Sequence, residues 1–214
     1  MKKNCLIGLT LMVVSFLLVG TVCSAAATTT TAAKKSTDKG VAKFVKIWAE
    51  TSVLNKNIGD SVKKVEELMG SLDNLKQDDN AGKLKVTNKS IAEVNKALAL
   101  INKQRAKLVT LEKAAGTIKD VPTKTIGIRL AGEYITVYKL LQDMIKAEKG
   151  VLLLMGKELT QLSKGKPASS DFMTKLAVFQ KQINDASDGL KAVGDKPTID
   201  QAAFEAATGV TLAK

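Results

Sequence analysis

Histidine is absent from the 214 residues. Its absence removes histidine haem ligation and the Ser-His and Cys-His catalytic pairs. It also removes the carboxylate–histidine di-iron set that helical bundles often carry. Cysteine occurs twice, at 5 and 23, both near the N-terminus. If that segment is cleaved, no thiolate is left for a zinc site and no disulfide can form. Arginine is confined to Arg105 and Arg129. The positive charge is therefore lysine, a hydrated point charge suited to diffuse attraction rather than to bidentate recognition.

Proline occurs three times, at 122, 167 and 197, each close to a gap between apolar patterns. No stretch alternates apolar and polar residues for long, so no sheet is expected. No Gly-rich loop follows a strand, which excludes the phosphate-loop and dinucleotide motifs. The adjacent acids Glu66-Glu67 and Asp78-Asp79 read as helix-surface and turn features. No set of side chains converges on a reacting centre, so the expectation is a protein that is not an enzyme, with no catalytic residue, cofactor or metal.

What is present begins with an apolar run. Lys2 and Lys3 precede Cys5–Val22, and Ser24-Ala25-Ala26-Ala27 supplies small residues after it. This is the layout of a secretory signal peptide over 1–26. A retained membrane anchor is the alternative, because the run approaches the shortest spanning length. Lipidation at Cys23 is a third reading, but Val22 and Gly20 stand where that pattern wants a small residue and a leucine. Residues 27–37 are Thr/Ala-rich and aperiodic, a flexible tether. A helical domain then fills 38–214. The expected location is periplasmic or extracellular.

Four long helical patterns follow. The first spans about 38–75 with Val41, Phe44, Trp48, Leu54, Ile58, Val62, Val65, Met69 and Leu72 at three-and-four spacing. Asp78, Asp79 or Asn80 can cap the second, over about 82–118. There Leu84, Ile91 and Leu98 form one heptad row and Thr87, Val94, Ile101 and Leu108 the other. The third covers about 123–163. Its run Val151–Met155 is apolar on all sides, as in an enclosed helix. The fourth covers about 169–193. A short fifth starts at a capping box, Thr198-Ile199-Asp200-Gln201, and stops at Gly209. The fold class is all-α, an elongated up-down-up-down four-helix bundle with a short C-terminal fifth helix.

Two features bear on function. An Asn-Lys pair recurs at 88–89, 95–96 and 102–103. On the heptad register the lysines stand farthest from the seam, and Lys85, Lys89, Lys96, Lys103 and Lys107 share one side. Removal of residues 1–26 takes two lysines and no acids from the formal +12, leaving +10, and much of that excess lies in 82–119. The strip suits an anionic envelope surface or another envelope protein. It carries no aromatic residue for base stacking, so sequence-specific nucleic-acid binding is not expected. A secreted, membrane-active toxin-like protein is the alternative function.

The second feature is a break. Arg105 continues the row of Leu84, Ile91 and Leu98, and Glu148 interrupts a row on the third helix. A charge on a seam needs a partner. Folding the first two helices back about residue 77 or 78 sets Glu50 opposite Arg105. A similar reversal near 121 or 122 brings Tyr138 beside it. Glu50, Arg105, Tyr134 and Tyr138 are thus expected to form a polar layer, one that fixes helix register or holds a ligand.

Overall fold

The computed structural model describes residues 37–213. The leader, Cys23 and nearly all of the tether lie outside the described residues. Helix α1 is Lys39–Gly70, α2 Asn80–Ala115, α3 Val121–Ser163, α4 Phe172–Val193 and α5 Lys196–Thr208, with a 3₁₀ turn at Ser71–Asn74. The described residues contain no strand. No described helix is long and apolar enough to cross a membrane.

Aspartates start the three long helices. Asp38 accepts from the Gly40 N–H at 2.6 Å, Asp79 from Gly82 at 2.7 Å and Asp120 from Thr123 at 2.9 Å. Each satisfies a backbone donor that has no partner within its helix. Asp38 also accepts from the Lys119 N–H at 3.0 Å, tying the start of α1 to the link after α2. Backbone donors hold the Asp38 carboxyl below its usual range. Helix α3 starts two residues before the expected Thr123 because Pro122 fits a first turn, where no N–H is needed.

The capping box expected at Thr198 is not formed. Helix α5 begins at Lys196 with Pro197 in its first turn, so Thr198 already lies inside the helix. Gly209 ends α5 in the left-handed conformation at φ 63, as the sequence suggests.

Helix α2 packs on α1 and on α3, and α3 also packs on α4 and α5. Cross-helix contacts set the directions. Asp38 meets Lys119, and Glu50 meets Lys107, so numbers rise on α1 as they fall on α2. The chain therefore reverses about residues 78 and 79, not 77 or 78. The 3₁₀ turn explains the shift, since it continues α1 and packs on α2. Gly127 beside Ala115 and Arg105 bonded to Gln142 give the same opposed sense for α2 and α3. Gly150 of α3 lies against the Phe179 ring of α4, and a Cβ there would collide with it.

The inward face of α2 differs from the expected seam. Thr87, Val94, Ile101 and Leu108 are buried, but the second buried row is Lys83, Ser90, Ala97, Gln104 and Leu111. Leu84, Ile91 and Leu98 are only partly covered. A helix packed on two neighbours buries a stripe wider than one two-helix seam. In the run Val151–Met155 four side chains are buried, and Leu153 is exposed.

The core is aromatic near the start of α1. Phe44 stacks on Phe204 of α5 with centroids 4.4 Å apart, and Trp48 meets Tyr134 of α3 edge-on at 5.3 Å. Phe204 is fully buried, against Gly127 of α3. The C-terminal residues close over this cluster. Trp48 Nε1 donates to the Ala213 carbonyl at 2.6 Å, Ser52 Oγ donates to the same oxygen at 3.0 Å, and Leu212 is buried. Burying rings of this size stabilises by about 1.5–3 kcal/mol each.

Candidate functional site: a lysine face and a polar layer

Lys85, Lys89, Lys96, Lys103 and Lys107 of α2 are all exposed. Asn88, Asn95 and Asn102 beside them are exposed as well, so the recurring Asn-Lys pairs face solvent. The rows that bury α2 fix this outcome: positions 83, 87, 90, 94, 97 and 101 turn inward and leave 85, 89, 96 and 103 outward. From Lys85 to Lys107 the strip measures roughly 33 Å at 1.5 Å per residue. Lys107 pairs with Glu50 of α1, and Lys96 with Glu93 at 3.8 Å. Lys85, Lys89 and Lys103 make no ion pair among the described residues, so their charge is available to a partner.

The polar layer exists with different partners. Glu50 pairs with Lys107 and not with Arg105. The two-residue register shift carries Arg105 round the helix from Glu50 and brings Lys107 to it, since two residues rotate an α-helix by roughly 200°. The Lys107 hydrogen bond holds the Glu50 carboxyl below its ordinary range. Arg105 Nη1 instead donates to Gln142 Oε1 of α3 at 2.6 Å, and Gln142 Nε2 donates to Asn102 Oδ1. Tyr138 O–H donates to Asn55 Oδ1 of α1. Tyr134 joins the aromatic cluster through Trp48. Glu50, Arg105, Tyr134 and Tyr138 are therefore not one group. Arg105 and Tyr138 bond to different partners, Gln142 and Asn55, while Glu50 pairs with Lys107.

Sequence reasoning missed Asn55, Asn102, Gln104 and Gln142. Gln104 is 2 % exposed, and its Oε1 has no protein partner; Arg105 Nε is also buried without one. A signal for Asn55 was present, because it stands seven residues after Trp48 on the same helix side. Gln142 stands beside Leu141 in the apolar pattern of α3 and shows no comparable signal.

Glu148 departs most from expectation. The sequence asks for a partner, and neither carboxyl oxygen has one. Burial, with the charge of Glu66 adding, pushes its pKa up to about 8. A buried carboxyl of this kind is kept neutral at pH 7. Glu133 of α3 is also raised, first by burial and then by Asp200. Asp200 of α5 goes the other way, because Arg129 pairs with it through two hydrogen bonds.

An open groove of about 460 Å³ runs between α3 and α4, lined by Leu140, Asp143, Lys146, Gln182 and Asp185. Its acids are already paired, Asp143 with Lys146 and Asp185 with Lys181. None of the residues anticipated from the sequence lines it. Among the described residues no group of three or more His, Cys, Asp or Glu could hold a metal ion.

The structure defines an all-helical protein with a lysine face on α2. No protein-family model, curated protein or solved structure matches the chain.

Proposed function

We propose that this is an exported, non-enzymatic helical protein that binds an anionic envelope surface, or an acidic envelope protein, through the lysine face of α2. Its long helices stand as an elongated up-down-up-down bundle, with α2 offering its outer side. The observation that carries the reading is the exposure of Lys85, Lys89 and Lys103 on one face without counter-charges. A surface built for solubility alone mixes both signs. Each lysine near an anionic surface contributes about 1 kcal/mol, and the attraction decays within a Debye length of about 8–10 Å. Binding is therefore weak per residue, additive along the strip and sensitive to salt.

Vesicles with and without anionic headgroups test this, with the triple variant Lys89→Glu, Lys96→Glu, Lys103→Glu beside the wild type. Wild type should bind anionic vesicles at low salt and release them as salt rises. The variant should keep its helical circular-dichroism signal and lose at least tenfold in affinity. A wild type that ignores anionic vesicles and soluble anionic polymers at low salt would end this reading. Release of vesicle contents on binding would favour a membrane-active protein instead.

A further inference from the structure

Side chains of one row of α3 reach towards α1 between residues 134 and 148. Tyr134 meets Trp48, Tyr138 bonds Asn55, and further along the same row Glu148 lies level with Glu66. Ile145, Leu152 and Met155 surround Glu148 on its own helix, and Ile58, Val62 and Val65 are buried on the α1 side. Glu148 is 6 % exposed, and both oxygens lack a hydrogen-bond partner. Glu66 is partly buried, and its own carboxyl is raised by burial and by Glu67. Two acids thus come near each other in a largely apolar part of the core.

Among the described residues no lysine or arginine pairs with Glu148 or Glu66, and Lys63 offsets only part of the rise at Glu66. On α1, Lys63 pairs with Glu67 at 4.0 Å. At the same level on α2, Glu93 and Lys96 are tied to each other. On α4, Lys181 is held by Asp185 at 2.7 Å. On α3 itself, Lys146 pairs with Asp143 at 3.9 Å and Lys149 stands next to Glu148 in the chain. The charge that bears on Glu148 is that of Glu66, and it repels.

We propose that Glu148 is a proton-controlled latch between α1 and α3: carrying its proton it lets these helices pack, and on losing it against Glu66 it loosens this end of the molecule. The physical cause is desolvation. An ionised carboxylate among apolar side chains is too costly to keep dry, so the contact opens enough to hydrate it. The opening is local because the opposite end of the α1–α3 contact is fastened by α5. There Phe204 stacks on Phe44, Asp200 holds Arg129, and Trp48 holds the Ala213 carbonyl. Between 58 and 70 on α1 no such fastening crosses to α3.

Hydrogen exchange of the mature protein at pH 6 and pH 9, corrected for intrinsic base catalysis, tests the latch. In the wild type, amides of 58–70 and 145–156 should lose at least tenfold in protection at pH 9, while those of 41–52 and 127–138 keep theirs. Glu148→Gln removes the ionisation and should abolish the loss. Glu148→Met serves the same purpose should the amide be poorly tolerated. Glu66→Gln should preserve the transition and move it to lower pH, because the charge that helps to raise the Glu148 pKa is gone. That displacement ties the transition to the pair, and a move to higher pH would contradict it. An unchanged transition in Glu66→Gln, the same loss in Glu148→Gln, or no loss in the wild type would overturn the latch.

Discussion

The two ends of the α1–α3 contact solve the burial of polar groups in opposite ways. Near the first turns of the two helices the indole N–H of Trp48 has the Ala213 carbonyl, Asp200 has Arg129, and Asp38 has backbone donors from two segments. About twenty residues further along, Glu148 is buried as deeply and has no partner. The first place is reached by the C-terminal helix and tail, which bring hydrogen-bonding groups from outside the pair. At the second the side chains of the core are largely apolar, and the charge that bears on Glu148 is that of Glu66. A polar group is tolerated in the core either by being satisfied or by staying neutral, and this protein uses both.

The largest effect should come from breaking the fastened end. Phe204→Ala removes a fully buried ring stacked on Phe44, and a loss of about 3–5 kcal/mol is expected for such a change. Urea denaturation measures it, and a loss under about 1 kcal/mol would mean that α5 does not hold the contact.

At the other end the expected change is a gain. The Glu148 pKa is raised from 4.5 to about 8, so the folded state binds its proton more tightly than the unfolded chain does. The group favours folding fully below about pH 4.5, and that advantage is lost as pH rises towards 8. Relative to an amide at the same place, the wild type is weaker at pH 7 by about 3 kcal/mol. Glu148→Gln should therefore raise stability at pH 7 and flatten its dependence between pH 5 and 8. Equal slopes in variant and wild type would break the comparison.

A smaller loss sharpens it. Trp48→Phe keeps most of the ring and removes the bond to Ala213, which should lower stability by about 1 kcal/mol. That loss should be the same at pH 6 and pH 8, because no titrating group is involved. The smallest effect belongs to the outer face of α2. Charge reversal at Lys89, Lys96 and Lys103 should change stability by no more than about 0.5 kcal/mol per site, while binding to anionic vesicles is lost.

Much of the fold was legible from spacing and caps. Five helices and most of their bounds follow from apolar residues three and four apart, from Asp79 as a cap and from Gly209 as a stop. The register of α1 on α2 was not, because it depends on a 3₁₀ turn that packs as a continuation of α1. That two-residue error is what exchanged Arg105 for Lys107 as the partner of Glu50. The docking of α5 and Leu212 over Phe44 and Trp48 could not be read either, since those contacts lie some 160 residues apart in the chain and leave no periodic trace. The lysine face was legible because exposure follows from the rows that turn inward. The break at Glu148 was visible as a charge in an apolar row, but its lack of a partner is a tertiary fact.

The pKa of Glu148 itself is the most direct measurement of the contrast between the two ends. Carboxyl carbon-13 chemical shifts of the folded protein, followed from pH 4 to 9, report it, and the resonance missing from Glu148→Gln assigns it. A midpoint near 8 is the predicted result. A midpoint near the ordinary 4.5 would mean that the carboxylate is hydrated or paired in the folded protein, and the contrast between a satisfied end and a neutral one would be wrong.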